Sequence, residues 1–173
     1  MVSAQDLVTI DGLPAHPLLV HAVVILLPLA AVCAAALAVR PRWRQRYAWP
    51  VLGLTLLGVG AVPLAQEAGE QLYAKLATLD NPLIERHAEL GNDLLPFALG
   101  FGVSVVLLLV AGRLADRERV AAEESTDVPK TWRRIAIAVS VLVIAAGAAS
   151  VVQTVRIGHS GSTAVYDFVK DLG

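Results

Sequence analysis

Charge, sulfur and aromatic rings are all scarce in this 173-residue chain. Its one cysteine, Cys33, allows no intramolecular disulfide. Cys33 lies in an apolar run, where a thiol serves as a small hydrophobe. Val32 just before it is too bulky for a lipoprotein cleavage site. No Lys or Arg precedes the first apolar run, so the basic leader of a cleavable signal peptide is missing and that run is expected to be a permanent span. Cysteine-based metal motifs, His-Glu-x-x-His and Cys-x-x-Cys-His are all lacking, which removes zinc-hydrolase and covalent-haem signatures. No enzyme motif replaces them. Charged residues make up 17% of the chain and aromatics 5%, against 56% hydrophobic residues. With a mean hydropathy of +0.64, this composition is too apolar for a soluble domain and places the chain in a lipid bilayer.

What is present is apolar sequence in four long runs. Spans are expected at about 17–39, 47–65, 94–112 and 135–152, each long enough at about 1.5 Å per residue to cross a hydrocarbon core of about 30 Å. The predicted fold class is all-α: a membrane four-helix bundle with short amphipathic helices on its outer face, one transmembrane domain over 1–173. Pro28 sits mid-span and frees the carbonyl of Val24, which predicts a kink. Gly53, Gly58 and Gly60 in the second span, and the pairs Ala31/Ala35 and Ala145/Ala149, permit close helix approach, within the chain or with a membrane-protein partner or second copy. An outer helical segment is expected over about 66–92. It breaks near Thr78–Pro82, where Asp80 or Asn81 can cap a new helix with Pro82 in its first turn. Residues 1–12 and the outer tail 156–173 are expected at the membrane surface. In the tail, Val165, Phe168, Val169 and Leu172 fall at helical spacing.

A formal net charge of −1 conceals a division along the chain. All Lys and Arg except Lys75, Arg86, Arg156 and Lys170 fall in the loops Arg40–Tyr47 and Arg113–Arg134. The opposite side carries most of the carboxylates. The positive-inside rule makes the two arginine-rich loops cytoplasmic, with both termini on the outer side of the cytoplasmic (inner) membrane. Arginines with Trp43 and Tyr47 between two spans read as a turn at the headgroups, not as a nucleic-acid surface.

All four histidines, His16, His21, His87 and His159, then share the outer side, each at the mouth of a span. A neutral imidazole nitrogen ligates metals, and carboxylates orient its other nitrogen. Glu67, Glu70, Glu85, Glu89 and Asp93 are on the correct side to help, with Glu70 and Glu89 as the candidate metal ligands. Haem b would need one or two axial histidines, whereas a bare transition-metal ion needs three or four ligands. On one regular helix His16 and His21 point about 140° apart. His21 lies about one turn inside the membrane, where an ionisable group usually has a partner. That spacing favours His21 for inward contact and His16 as a cap or alternate ligand; His87 and His159 are the partner ligands expected for His21, a contact that no sequence spacing tests. The competing reading is a hydrogen-bonded polar layer in a non-catalytic membrane scaffold. Proton or solute passage is disfavoured, because little beyond Thr55, Ser104 and Ser140 is polar through the midplane.

His16-Pro17-Leu18-Leu19-Val20-His21 resembles the HPxxVH opening motif of a widespread bacterial family of four-helix membrane proteins of unknown function. Gly69-Glu70 and His87-Ala88-Glu89-Leu90-Gly91 resemble that family's pattern before its third span. Gly158-His159-Ser160-Gly161 with Val165-Tyr166 is similar to its closing Gly-His-x-Gly-Gly…Val-Tyr signature. Two departures stand out: Ser162 replaces a second glycine, and Ala22-Val23 replaces Phe-Pro, leaving Pro28 as the first kink site. The resemblance implies a compact bundle with an outward histidine-bearing face, and no activity.

Overall fold

The computed structural model describes residues 9–10, 12–76, 81–124 and 130–170, without the side chains at 10, 13, 124 and 167–170. Of the surface lead expected over 1–12, residues 1–8 and 11 fall outside them, as do Asp80 and Leu172. A two-residue antiparallel pair, β1 (Thr9–Ile10) with β2 (Leu13–Pro14), turns at Gly12, whose φ of 80° suits glycine. Five helices follow: α1 (Ala15–Val39), α2 (Pro41–Leu76), α3 (Pro82–Asn92), α4 (Leu94–Glu124) and α5 (Thr131–Lys170).

Four helical runs are long and apolar enough to cross a membrane: Ala15–Val39, Pro41–Leu76, Pro82–Glu123 and Thr131–Tyr166. In the third run the apolar part is α4; α3 has no buried residue and sits beyond it. The fold is therefore an all-α multi-pass membrane bundle. α1 packs on α2 and α5, and α4 on α5 and α2, so α1 and α4 stand on a diagonal and each neighbouring pair is antiparallel.

The packing follows from spacing. Buried positions recur at alternating steps of three and four: Val23, Leu27, Ala30, Ala34 and Leu37 on α1, and Leu94, Ala98, Phe101, Val105 and Leu108 on α4. On α2 the series runs Ala48, Val51, Thr55, Gly58, Val62 and Ala65. This is a seven-residue seam, which gives shallow, coiled-coil-like crossings. Large apolar side chains such as Ile25, Val32, Leu57, Val103 and Val141 point outward, as lipid contact requires. Of the expected small residues, Gly58 makes the closest backbone approach: a Cβ there would lie 3.3 Å from the backbone of Leu26 and Leu27. Gly147 meets Ala31 and Phe101, whereas Gly53 and Gly60 have no neighbour within 4 Å.

One boundary differs from the sequence expectation. α1 is helical on both sides of Pro28. α2 runs past residue 65 to Leu76, in keeping with the helical pattern of residues 66–76, whereas α5 does not stop near 152 but stays helical to Lys170. At about 1.5 Å per residue, the 36 residues of α2 and 40 of α5 reach about 54 and 60 Å. Both project past a core of about 30 Å. Residues 156–170 of the tail are thus an extension of α5, and Gly158–Gly161 forms part of that helix. Polarity changes where the chain leaves lipid, but the backbone hydrogen-bond ladder has no reason to stop there. The expected cap is made by Asn81, whose Oδ1 accepts from the Leu83 amide at 2.9 Å with Pro82 following it.

Candidate functional site

The seams that pack the membrane part continue past it and turn polar. His16 lies seven residues before Val23, in phase with Ala30 and Leu37, so it belongs to the buried stripe of α1. Gly69 continues Ala48, Thr55 and Val62 on α2, while Ser160 and Gly161 continue Gln153 and Thr154 on α5. α3 bridges these ends and supplies His87.

The half-buried His16 turns inward, its Nδ1 2.9 Å from the carbonyl oxygen of Ala65 on α2. A carbonyl only accepts, so Nδ1 carries the proton and, in the neutral ring, Nε2 keeps its lone pair. His87, also half-buried, places Nδ1 3.0 Å from Ser160 Oγ. The Ser160 hydroxyl donates to the Ile157 carbonyl at 2.8 Å. With that proton committed, Ser160 Oγ accepts from His87 Nδ1–H. The hydrogen-bond network therefore assigns both rings the same tautomer, with two Nε2 lone pairs presented.

The two rings are neighbours, with centroids 6.5 Å apart and planes at 78°. Glycines make room for both. A Cβ on Gly69 would lie 2.9 Å from His16 Cε1, and one on Gly161 2.9 Å from His87 Cε1. Burial, and secondarily charge on His16, holds His87 below the ordinary histidine range, with the Ile157 carbonyl acting in the opposite sense. His87 is accordingly a neutral imidazole at pH 7.

Both rings face a cavity of about 380 Å³ between α1, α2 and α3. Its walls are apolar, among them Val20, Val62, Leu72 and Ile84, and Glu70, Glu85 and Glu89 stand on it. Two glutamines brace the α3–α4 junction above. Pro96 has no N–H for the carbonyl of Asn92; Gln66 Nε2 donates there at 3.2 Å and to Gly91 O at 2.8 Å. Gln153 Nε2 donates to Leu90 O at 3.3 Å.

The structure brings together His16 and His87, not all four histidines. His21 is exposed and folds back on its own helix, its Nδ1 2.6 Å from Pro17 O. His159 is exposed and does not line the cavity that His16 and His87 face. The roles expected for His16 and His21 are thus exchanged: depth in the membrane pointed to His21, but the seven-residue phase of α1 decides which ring faces in. Nor does His16 cap α1, whose N-cap is Pro14 without a side-chain bond. Glu70 and Glu89 reach the cavity rim, and no cluster of three or more metal-ligating side chains forms among the described residues. Ser160, Gln66, Gln153 and the two ring-cradling glycines were not foreseen as parts of a site. The signal for Gly69, Gln153, Ser160 and Gly161 is heptad phase, and Gly69, Ser160 and Gly161 also lie in the motif stretches; nothing comparable marks Gln66.

Neither the curated proteins nor the solved structures contain a match to this chain. A family model described as "Predicted membrane protein (DUF2231)" matches residues 12–170. That match spans the bundle, the histidine end and all three motif stretches, and the chain belongs to this family of membrane proteins of unknown function.

Proposed function

We propose that this protein holds a transition-metal centre between His16 and His87 on the outer side of the cytoplasmic membrane, as a redox or accessory membrane subunit. The observation that carries the reading is the matched tautomer pair. Each Nδ1–H is anchored on an oxygen of the protein, the arrangement that orients ligating histidines and raises their basicity. Two imidazoles on opposite sides of one metal, with bonds near 2 Å, hold their centroids about 6 Å apart, close to the 6.5 Å seen here. Haem iron suits such a pair, because the macrocycle supplies the remaining ligands. Glu70, Glu85 and Glu89 add negative potential that favours a cationic centre.

The test is spectroscopic and elemental. Protein purified in mild detergent should show a Soret band that shifts on reduction, or stoichiometric bound metal. Either signal should vanish in His16→Ala and His87→Ala and survive in His21→Ala and His159→Ala. A colourless, metal-free protein whose His16→Ala and His87→Ala variants only lose thermal stability would support the scaffold reading. In that case the two rings serve to cross-link α1 to α2 and α3 to α5.

The outward placement of the histidine end rests on the arginine-rich loops at the other end. A periplasm-active reporter fused after Gly173 should be active and a cytoplasm-active one silent; the reverse pattern would invert the site's location.

A further inference from the structure

On the other side of α3 lies a second cleft, and its chemistry is opposite in sign. It has a volume of about 230 Å³ and is lined by Leu83, Arg86 and Leu90 of α3 and by Arg156, His159, Ser160 and Thr163 of α5. The histidine end carries few cations, yet Arg86 and Arg156 line this one cleft together with His159. The carboxylates of α3 are sorted to the other face: Glu85 and Glu89 stand on the large cavity. Arg86 makes no hydrogen bond or ion pair with any described residue. Arg156 spends only one donor, from NH1 to Gln153 Oε1 at 3.3 Å.

Two guanidiniums on facing helices, with no carboxylate among the described residues that line the cleft, repel each other unless an anion intervenes. Guanidiniums are weakly hydrated and present forked N–H donors that match phosphate oxygens. Leu83 and Leu90 give the cleft an apolar wall, and Arg156 lies just past the apolar part of α5. We infer that this cleft is an anion site for a phosphate group, either free or in an anionic phospholipid headgroup at the membrane surface. Arg86 and Arg156 bind the phosphate oxygens, and His159 stands at the edge to donate a further bond. Ser160 lines the cleft and also accepts from His87, so an occupant touches the side chain that fixes the His87 ring. The proposal stands independently of any metal at the histidine pair.

The experiment uses the full chain in detergent and in nanodiscs, with three probes. These are inorganic phosphate against chloride at matched ionic strength, phosphatidylglycerol, and phosphatidylcholine. Wild type should bind inorganic phosphate saturably, or retain phosphatidylglycerol over phosphatidylcholine in native mass spectrometry. The first result identifies a free anion and the second a lipid headgroup. Arg86→Gln should weaken that binding at least tenfold, and Arg86→Gln with Arg156→Gln should abolish it. Arg133→Gln at the opposite end of the bundle should have no effect. Because Arg86 is exposed and makes no hydrogen bond or ion pair with a described residue, its variant keeps the fold. Wild type that takes neither probe, or Arg86→Gln that binds as wild type does, overturns the site.

Discussion

Replacing Arg44 by methionine is expected to destabilise the bundle by about 3 kcal/mol, the cost of removing a buried, charged hydrogen-bonding group and leaving its acceptors unpaired. Arg44 is only 8% exposed. Pro41 starts α2 and has no N–H to offer the carbonyl of Leu37 four residues earlier. Arg44 Nε fills that vacancy at 3.0 Å, and NH2 reaches Ala38 O at 3.3 Å. NH2 also donates to Ser140 Oγ on α5 at 3.4 Å. The guanidinium lies flat on Gly112 of α4, where a Cβ would come within 2.8 Å of NH1. One side chain on α2 therefore closes the end of α1 and touches α4 and α5. Arg44→Lys keeps the charge but cannot reproduce the fork, so it should recover less than half of the loss in a thermal-denaturation series in detergent. Coupling gives the sharper check. Gly112→Ala should cost stability in wild type but little in the Arg44→Met background; additive losses would show that the two residues do not act through this contact.

Arg44 also shows how far the sequence could be read. It was grouped with Arg40, Arg42 and Arg46 as a headgroup anchor, and two of those do behave so: Arg40 stacks on Trp43 at 5.1 Å and Arg46 on Tyr47 at 5.7 Å. What separates Arg44 is phase, since it precedes Val51, Gly58 and Ala65 at steps of seven. The same count places Gly112 after Ala98 and Val105, and Ser140 before Gly147 and Thr154. The four spans and their order were legible because lipid demands long apolar runs. The end of α2 at Leu76 and the start of α3 at Asn81–Pro82 were legible from polar helical pattern and capping residues, but the continuation of α5 was not, because hydropathy reports the solvent around a helix and not its backbone bonds. The meeting of His16 with His87 is long-range and follows from two choices that local pattern does not encode. One is the overrun of α5 beyond the membrane, and the other is the docking of α3 between α2 and α5.

The glycines that cradle the rings allow the histidine pair to be tested without touching a histidine. Gly69→Ala and Gly161→Ala each put a methyl 2.9 Å from an imidazole Cε1, closer than carbon atoms can approach. The obstructed atom is the far end of a flexible side chain, so the ring swings away and the backbone stays. Alanine in a helix interior is favoured over glycine by up to about 1 kcal/mol, which offsets much of the lost contact. Both variants are therefore expected to unfold within a few degrees of wild type while losing at least tenfold in metal or haem retention. Displacement is checked separately by the ring nitrogens in nitrogen-15 NMR. In wild type His16 and His87 should show the Nδ1–H pattern, and in each glycine variant the affected ring should revert to the Nε2–H form that predominates in free imidazole side chains. Stability lost in proportion to retention would mean that the glycines serve helix packing alone. Retention lost at constant stability would mean that the fold spends two glycines on aiming two lone pairs, which a purely structural pair of histidines does not require.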